Sequence, residues 1–311
     1  MADTTLKLLD LAPDEIPEKL RPGYYFDFDE HPFEHAEFVA SAPSVIHVLE
    51  RIRGYLAERL PALVESADAA ETRTPADYPG RSTGEFRVLL EEDAVFEPAF
   101  VVGGDAEPST LLLRRGAKVL GASLWLDHGD VVLGADTVVE PGVGVKGPAI
   151  VGRQNELRLG TYLRGKVLIG DGCKLRGEIK NTVLMNRANY PHPSYLGDSL
   201  CGYKSHFGNQ ATSANLKVFD LVERKTVTIE LDGTEYDLGR RKVGIVMGDC
   251  AQVGCNSVSD PGVFLAPWVV CYQLTRLKKG FYGPDEVMKN KPLEHGVMEF
   301  APLRRDKTKK V

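Results

Sequence analysis

A single histidine stands between two prolines in the segment NYPHPSYLGDS, residues 189–199. Proline fixes its own φ and favours an extended conformation in the residue before it, so Pro191 and Pro193 leave His192 little backbone freedom. An imidazole titrates near neutral pH and can take up and release a proton. We therefore interpret His192 as a proton-transferring residue in a loop held by a rigid scaffold. A structural histidine is the alternative reading of the same segment.

A second pair of histidines occurs in HPFEH, where His31 and His35 have the spacing of two metal ligands on one helical face. The surrounding sequence offers no third ligand. We interpret the pair as packing or solvated residues and predict no metal site.

The bulk properties of the chain exclude several classes of protein. It has 311 residues, 43% of them hydrophobic, and a formal net charge of -6, which argues against a general nucleic-acid surface. The acidic, proline-containing N-terminus does not resemble a targeting peptide, and the longest apolar stretch, residues 263–272, is too short to span a membrane. We expect a cytoplasmic protein with neither nucleic-acid nor membrane partners. Five cysteines without a CxxC pair are expected to be small buried residues.

A six-residue repeat runs through the middle of the chain. Eight aliphatic residues follow one another at this interval: Leu133, Val139, Val145, Val151, Leu157, Leu163, Ile169 and Leu175. Glycine or another turn-forming residue follows many of them, which suits tight corners. Three hexapeptides make one coil of a parallel β-helix, and the strict period of six indicates the left-handed form. We predict a mainly β protein, a left-handed parallel β-helix with a small α-helical N-terminal region.

The same patterns divide the chain into three regions. Residues 1–87 are expected to form the helical N-terminal region, because aliphatic residues recur at helical spacing from Val45 to Leu60. The β-helix is expected over residues 88–280, and a basic tail over 281–311.

The repeat falters between residues 176 and 245, which indicates an insertion into the coil. Within this gap, Asp232 and Gly233 supply the residue types that a two-residue hairpin turn requires. We therefore predict that residues 218–242 form a hairpin ejected from the coil.

Four segments, GEIKNTVL, HPSYLGDS, GNQATSANLKV and GRRKVGIVMGDCAQVGCNSVSDPGV, occur in this order between residues 177 and 263. They resemble the acetyltransferase half, a left-handed β-helix, of the bifunctional sugar-1-phosphate nucleotidylyltransferase/glucosamine-1-phosphate N-acetyltransferase family. The resemblance covers about residues 130–272. The ANL and RRKVG segments are more similar to the archaeal members than to the bacterial ones.

The resemblance implies an N-acetyltransferase that takes acetyl-CoA as its acyl donor and a small-molecule amino-sugar phosphate as its acceptor. By position, His192 matches the general base, Arg164 and Lys180 match residues that bind the sugar phosphate, and Tyr195 and Asn215 match residues that contact the sugar. The resemblance further implies a homotrimer, with each site in a groove between neighbouring prisms.

The chain departs from the family pattern at two positions and in its N-terminal region. His206 stands where the substrate pocket usually has an asparagine, and Leu216 replaces the tyrosine of bacterial members. The first 85 residues lack a glycine-rich G-T-R loop followed by lysine, so we predict no nucleotidylyl transfer. Two alternatives remain: transfer to a different amine or hydroxyl, and a non-catalytic hexapeptide-repeat protein that binds a sugar nucleotide or serves as an assembly scaffold.

Overall fold

A computed structural model describes residues 5–105, 107–218, 220–290 and 298–302. Over these residues the chain forms a left-handed parallel β-helix whose short strands build three flat faces, here named A, B and C. A small helical region precedes the coil. The fold class that the six-residue repeat predicts is confirmed.

Face A is an 11-stranded sheet that begins with an antiparallel edge strand, Glu71–Arg73. Its parallel strands are Phe86–Leu90, Ser109–Leu113, Val131–Leu133, Ala149–Val151, Val167–Ile169, Thr182–Leu184, Leu200–Cys201, Ile245–Met247, Val263–Leu265 and Gly280–Tyr282. The middle residues of many of these strands point away from the coil and are covered by the N-terminal region and the ejected hairpin.

Faces B and C share two long strands, Glu156–Arg164 and Lys174–Lys180, which bend round the corner between them. The other strands of face B are Val95–Glu97, Lys118–Leu120, Val138–Val139, Asn189–Tyr190, His206–Phe207, Gln252–Val253, Val270–Cys271, Glu286–Asn290 and, antiparallel, Met298–Pro302. Those of face C are Ser82–Thr83, Phe100–Val102, Ser123–Trp125, Gly144–Lys146, Tyr195–Gly197, Thr212–Ser213, Val258–Ser259 and Arg276–Leu277.

The core of the coil is the column of aliphatic residues that the repeat predicts. All eight of them, Leu133 to Leu175, are at most 1% exposed. Stacking such residues on their equivalents in the next coil removes apolar surface from water, at roughly 1.5–3 kcal/mol for each side chain. Val131 pairs with Ala149, 18 positions later, as three hexapeptides per coil require.

The register falters because the coil shortens before it is interrupted. Lys174 pairs with Asn189, 15 positions later, and Glu178 pairs with Tyr195, 17 positions later. These coils therefore have fewer residues at their corners, and the inward column is not disturbed. The full interval returns after the insertion, where Ile245 pairs with Val263.

The N-terminal region contains two helices, α1 (Ala36–Ala40) and α2 (Val45–Glu65). It also has 3-10 turns at Leu8–Asp10, Glu18–Leu20, Pro22–Tyr24 and Pro75–Asp77. The Ser44 hydroxyl accepts a hydrogen bond from the His47 N–H and so caps the start of α2. The buried stripe of α2, which includes Val45, Leu49, Ile52, Leu56 and Leu60, belongs to the apolar cluster that covers face A.

The coil extends beyond the range that the sequence suggests. Its first strand begins at Ser82 and its last parallel strand ends at Asn290, compared with the expected 88–280. Residues 291–297 and 303–311 of the predicted basic tail lie outside the described residues.

The insertion leaves the coil where Leu216 and Lys242 form an isolated bridge. It contains a short helix α3 (Asp220–Glu223) and the strands Thr228–Leu231 and Thr234–Asp237, to which Leu6–Lys7 adds a third. Asp232 and Gly233 have φ values of 51° and 80°, so the predicted two-residue turn is confirmed. The buried side chain of Ile229 packs with the face A cluster, so the hairpin folds back on the coil.

The two histidines of HPFEH serve packing, as the sequence suggests. His31 stacks on the Tyr203 ring at 4.0 Å, and the His35 Nδ1 lies 2.6 Å from the Tyr55 hydroxyl. Among the residues described, no group of three or more His, Cys, Asp or Glu side chains is placed to hold a metal ion.

The expectation for the cysteines was wrong at one position. Cys173, Cys201, Cys250 and Cys271 are buried, whereas Cys255 is exposed. Residue 255 lies on the coil but not at an inward position of the repeat. In the described ranges, no helix has the length and apolar character needed to cross a membrane.

Candidate functional site

Four of the predicted site residues meet at one end of face C. Arg164 and Lys180 end the two long strands, so they lie side by side on successive coils. Tyr195 follows one coil later and pairs with Glu178, and Asn215 begins the next corner. The stacking of coils therefore brings together residues that are far apart in the sequence.

A buried carboxylate, Asp198, organises this corner. Its oxygens accept hydrogen bonds from the side-chain amides of Asn181, at 2.8 Å, and Asn215, at 2.6 Å, and from the guanidinium of Arg240, at 3.2 Å. Asp198 is only 3% exposed, and a buried carboxylate is tolerated only when it is paired in this way. Its φ of 50° is one that Asp and Asn adopt more readily than other side chains.

Tyr195 and Asn215 are in contact across the strand end. The Tyr195 hydroxyl and the Asn215 amide both lie directly over Gly197. A Cβ at Gly197 would fall 2.6 Å from the Tyr195 Oη and 2.7 Å from the Asn215 Nδ2. Burial raises the pKa of Tyr195, and the nearby carboxylates of Asp198 and Glu178 act in the same direction, so the phenol is a neutral donor at physiological pH.

The two predicted phosphate-binding residues lie in a cationic setting. Burial lowers the pKa of Lys180, and the charges of Lys242, Arg164 and Lys166 lower it further, while Asp198 opposes them. The Arg164 Nη1 donates to the Glu178 Oε1 at 2.6 Å, and this bond raises the pKa of the guanidinium. The corner therefore holds several positive charges close together, which an anion would relieve.

His192 lies at the corner between faces B and C and is exposed. No hydrogen bond joins it to Arg164 or Lys180 within the part of the chain that the structure describes. The imidazole is close enough to His206 to lower the pKa of that residue.

His206 lies on face B, not with the cationic corner of face C. Its Nδ1–H donates to the Asn189 carbonyl at 2.8 Å, and burial is the main cause of its lowered pKa. The ring borders a cleft that also contains Lys174, Arg187 and Lys204. His206 therefore lies apart from Arg164 and Lys180 in the single chain, whereas the resemblance implies that the three belong to one pocket.

Comparisons with known proteins bear on the origin of this corner. A bifunctional sugar-1-phosphate nucleotidylyltransferase/acetyltransferase from Sulfurisphaera tokodaii is 31% identical over 154 residues, which cover 43% of this chain and 37% of the relative. The bifunctional protein GlmU of Methanococcus vannielii is 33% identical over 115 residues, covering 37% of this chain and 26% of the relative. That of Trichormus variabilis is 29% identical over 184 residues, covering 58% and 34%.

The resemblance to this family's acetyltransferase half is confirmed. The chain spans only about a quarter to a third of the length of these relatives. No family model matches the chain. Among solved structures, the polySia specific acetyltransferase NeuO matches with 9% identity over 73% of this chain and 91% of that one, at a TM-score of 0.21, which is too low to add to the comparison.

Two residues of the corner, Asp198 and Arg240, are not predicted from the sequence. Both stand in the segments that carry the resemblance, in HPSYLGDS and GRRKVG. The available signal was a polar residue at each corner that follows a site strand, namely Asn181, Asp198 and Asn215. Arg240 gave no signal, because it reaches Asp198 only through the fold of the ejected hairpin.

Proposed function

We propose that the chain is an acetyl-CoA-dependent N-acetyltransferase that acts on an amino-sugar phosphate similar to glucosamine-1-phosphate, as a homotrimer in the cytoplasm. The observation that carries the proposal is the cationic corner of Arg164, Lys180 and Lys242 beside the neutral polar pair Tyr195 and Asn215. The homologues named as acetyltransferases support the class of reaction.

In this proposal the corner binds the sugar phosphate. A guanidinium offers two parallel N–H donors to a phosphate, and an ammonium adds a compact charge. Burial is the main cause of the lowered pKa of Lys180, and a phosphate dianion between Arg164 and Lys180 offsets the cationic repulsion that adds to it. Glu178 holds the Arg164 side chain in place while leaving the other guanidinium nitrogen free of this bond.

The neutral groups orient the sugar, and His192 moves the proton. The Tyr195 hydroxyl and the Asn215 amide hydrogen-bond to sugar hydroxyls. As the amine nitrogen attacks the thioester carbonyl carbon, His192 takes the proton from the amine, and the C–S bond then breaks. The protonated imidazole returns the proton to the departing thiolate, so a thiol and an amide are the products.

In this proposal the homotrimer supplies a second wall for the site beside His192. His192 is exposed at a corner of the prism, and among the described residues no hydrogen bond joins its ring to the cationic corner. A neighbouring prism would form a groove at this corner and exclude water from the thioester. Closed threefold symmetry would give three identical grooves.

A thiol-release assay tests the proposal. The purified protein is supplied with acetyl-CoA and a panel of amino-sugar phosphates, nucleotide-linked amino sugars and free amino sugars. We expect acceptor-dependent release that needs the phosphate, and a loss of about 10²- to 10⁴-fold in kcat for His192→Ala. Gln210→Ala, an exposed residue in the stretch stacked on the His192 corner, is the matched control and keeps the activity.

Two outcomes would contradict the proposal. No release with any acceptor would favour the non-catalytic alternative. Release that is unchanged in His192→Ala would remove the assigned base. The mass of the native particle, measured by light scattering, tests the homotrimer separately.

A further inference from the structure

A cleft of about 650 Å³ lies between helix α2 and the corner that joins faces C and A. One wall is apolar and consists of Leu56, Ala57, Leu60 and Pro61 of α2. The opposite wall is cationic, with Lys146, Arg164 and Lys166 at the ends of two neighbouring strands. A site with one apolar wall and one cationic wall fits a ligand that has both an anionic and an apolar part.

Of the four lysine and arginine side chains that line this cleft, only Arg164 pairs with a carboxylate, that of Glu178, among the residues described. Within the described residues, Arg53, Lys146 and Lys166 form no salt bridge. Among the described residues that line the cleft, Asp130 is the only carboxylate, and its Oδ1 accepts a hydrogen bond from the Thr110 N–H. Such a concentration of cations in a chain of net charge -6 indicates an anionic ligand.

The cleft is continuous with the phosphate corner described above. Arg164 belongs to both, and the charge of Lys166 helps to lower the pKa of Lys180. Lys146, Arg164 and Lys180 end three successive strands, and neighbouring strands lie about 4.8 Å apart, so this row is about 10 Å long. One phosphate does not fill a row of this length.

We propose that the cleft binds a nucleoside diphosphate, so that the acceptor is a nucleotide-linked amino sugar; this identification of the acceptor rests on the proposed function. The phosphates lie along Lys180, Arg164, Lys166 and Lys146. The nucleoside lies against the apolar wall of α2, and Arg53 reaches the phosphates from the helix. The sugar is then at Tyr195 and Asn215.

Binding of uridine diphosphate, measured by titration calorimetry without an acyl donor, tests the cleft. We expect Lys146→Ala/Lys166→Ala to weaken binding about 10- to 100-fold, because each lysine supplies a charge-assisted bond. Arg53→Ala, on the exposed side of a helix where folding is not at risk, weakens it in the same direction. Lys118→Ala, an exposed lysine on a coil strand of face B, is the matched control and leaves it unchanged.

The same titrations show which parts of the nucleoside diphosphate the cleft recognises. Uridine monophosphate and inorganic pyrophosphate are expected to bind more weakly than uridine diphosphate, since each lacks one part of the ligand. Absence of uridine diphosphate binding, or equal affinity in wild type and Lys146→Ala/Lys166→Ala, overturns the proposal. Coenzyme A binding that alone responds to the lysine substitutions also overturns it, because the cleft then serves the acyl donor.

The two proposals fail in different ways. Nucleotide binding requires neither His192 nor acetyl-CoA, so His192→Ala is expected to bind uridine diphosphate as the wild type does. Binding without any thiol release from nucleotide-linked amino sugars would overturn the acetyltransferase and the acceptor role, yet keep the site. Thiol release from simple amino-sugar phosphates without nucleotide binding would keep the acetyltransferase and overturn the nucleotide site.

Discussion

The guanidinium of Arg240 donates to the carboxylate of Asp198 across 3.2 Å, although Asp198 belongs to the coil and Arg240 to the ejected insertion. Arg240 stands at the end of the ejected hairpin, and its other nitrogen bonds to Glu50 on helix α2. One arginine therefore connects the N-terminal helix with the corner that carries Asn215. The hairpin is not only an insertion, since it closes the polar side of the candidate site.

Removal of this arginine is expected to destabilise the protein. Arg240→Ala leaves Asp198, whose side chain is only 4% exposed, with the two amide donors alone. We expect a loss of about 2 kcal/mol in the free energy of unfolding, measured by urea denaturation. Glu50→Gln is the control, because Glu50 is largely exposed and we expect its charge to contribute about 0.5 kcal/mol. Equal effects of the two substitutions would contradict the role given to Asp198.

These residues show which parts of the fold and of the candidate site the sequence predicts. The interval of six identified the inward column from Leu133 to Leu175, because a period that follows from geometry is visible without coordinates. Arg164 and Lys180 were predicted to share a site, and stacked strands place them together. Asp198 and Arg240 were not predicted, since their contact depends on how a long insertion folds back. His206 pairs with Asn189 on face B, so the fold separates it from Arg164 and Lys180 on face C, and the resemblance alone does not indicate this separation.

Arg164 is expected to act on substrate affinity. We expect Arg164→Ala to raise the KM for the phosphorylated acceptor about 10- to 100-fold with a smaller effect on kcat, because a charge-assisted bond to the phosphate is lost in the ground state as well. Arg158 is the matched control. It lies on the same strand and also pairs with a glutamate, Glu156, but on the opposite side of the bend. Steady-state kinetics in which both alanine variants behave alike would remove Arg164 from the site.

Gly197 is expected to be sensitive to a single methyl group. A Cβ at this position would displace the Tyr195 hydroxyl and the Asn215 amide, and the amide also donates to the buried Asp198. We therefore expect Gly197→Ala to lower kcat/KM at least about tenfold and to lower the melting temperature as well. Gly54→Ala, where nothing lies within 4 Å, is the control and keeps full activity. A large fall in melting temperature without loss of activity would show that the glycine serves packing only.

His206 is expected to make the stability depend on pH. Burial lowers its pKa in the folded chain below the ordinary 6.5, so the unfolded chain binds more protons between these two values. The free energy of unfolding therefore rises with pH from the folded pKa up to 6.5. This contribution is lost as the pH falls from 6.5 through the folded pKa, with a slope of at most about 1.4 kcal/mol per pH unit from this one group. His206→Asn removes the group and is expected to flatten the curve.

The measurement is a series of urea denaturations between about pH 6 and pH 7. Burial raises the pKa of Asp249 to about 6, and this group acts with the opposite sign below that pH, because its folded state binds the extra proton. Asp249 is present in both proteins, so its contribution cancels when the slope of His206→Asn is compared with that of the wild type. His35 and His47, whose pKa values burial also lowers, remain in the variant and account for the slope that is left. An unchanged slope in His206→Asn would contradict the assignment.

Ser259 occupies the one inward position where the aliphatic repeat fails after it has resumed at Met247 and Val253. Ser259 is 2% exposed and, within the described part of the chain, its hydroxyl has no hydrogen-bond partner. Ser259→Ala removes a buried, unsatisfied hydroxyl at almost constant volume, so we expect the free energy of unfolding to rise by about 1 kcal/mol. Ser199→Ala is the control of opposite sign, because the Ser199 hydroxyl donates to the Gly197 carbonyl at 2.8 Å and accepts from the Ile245 N–H at 3.0 Å. Its loss is expected to cost about 1–2 kcal/mol. If Ser259→Ala also destabilised the protein in the same urea titration, the hydroxyl would have a partner in solution, and position 259 would be a polar contact of the coil and not a defect in its core.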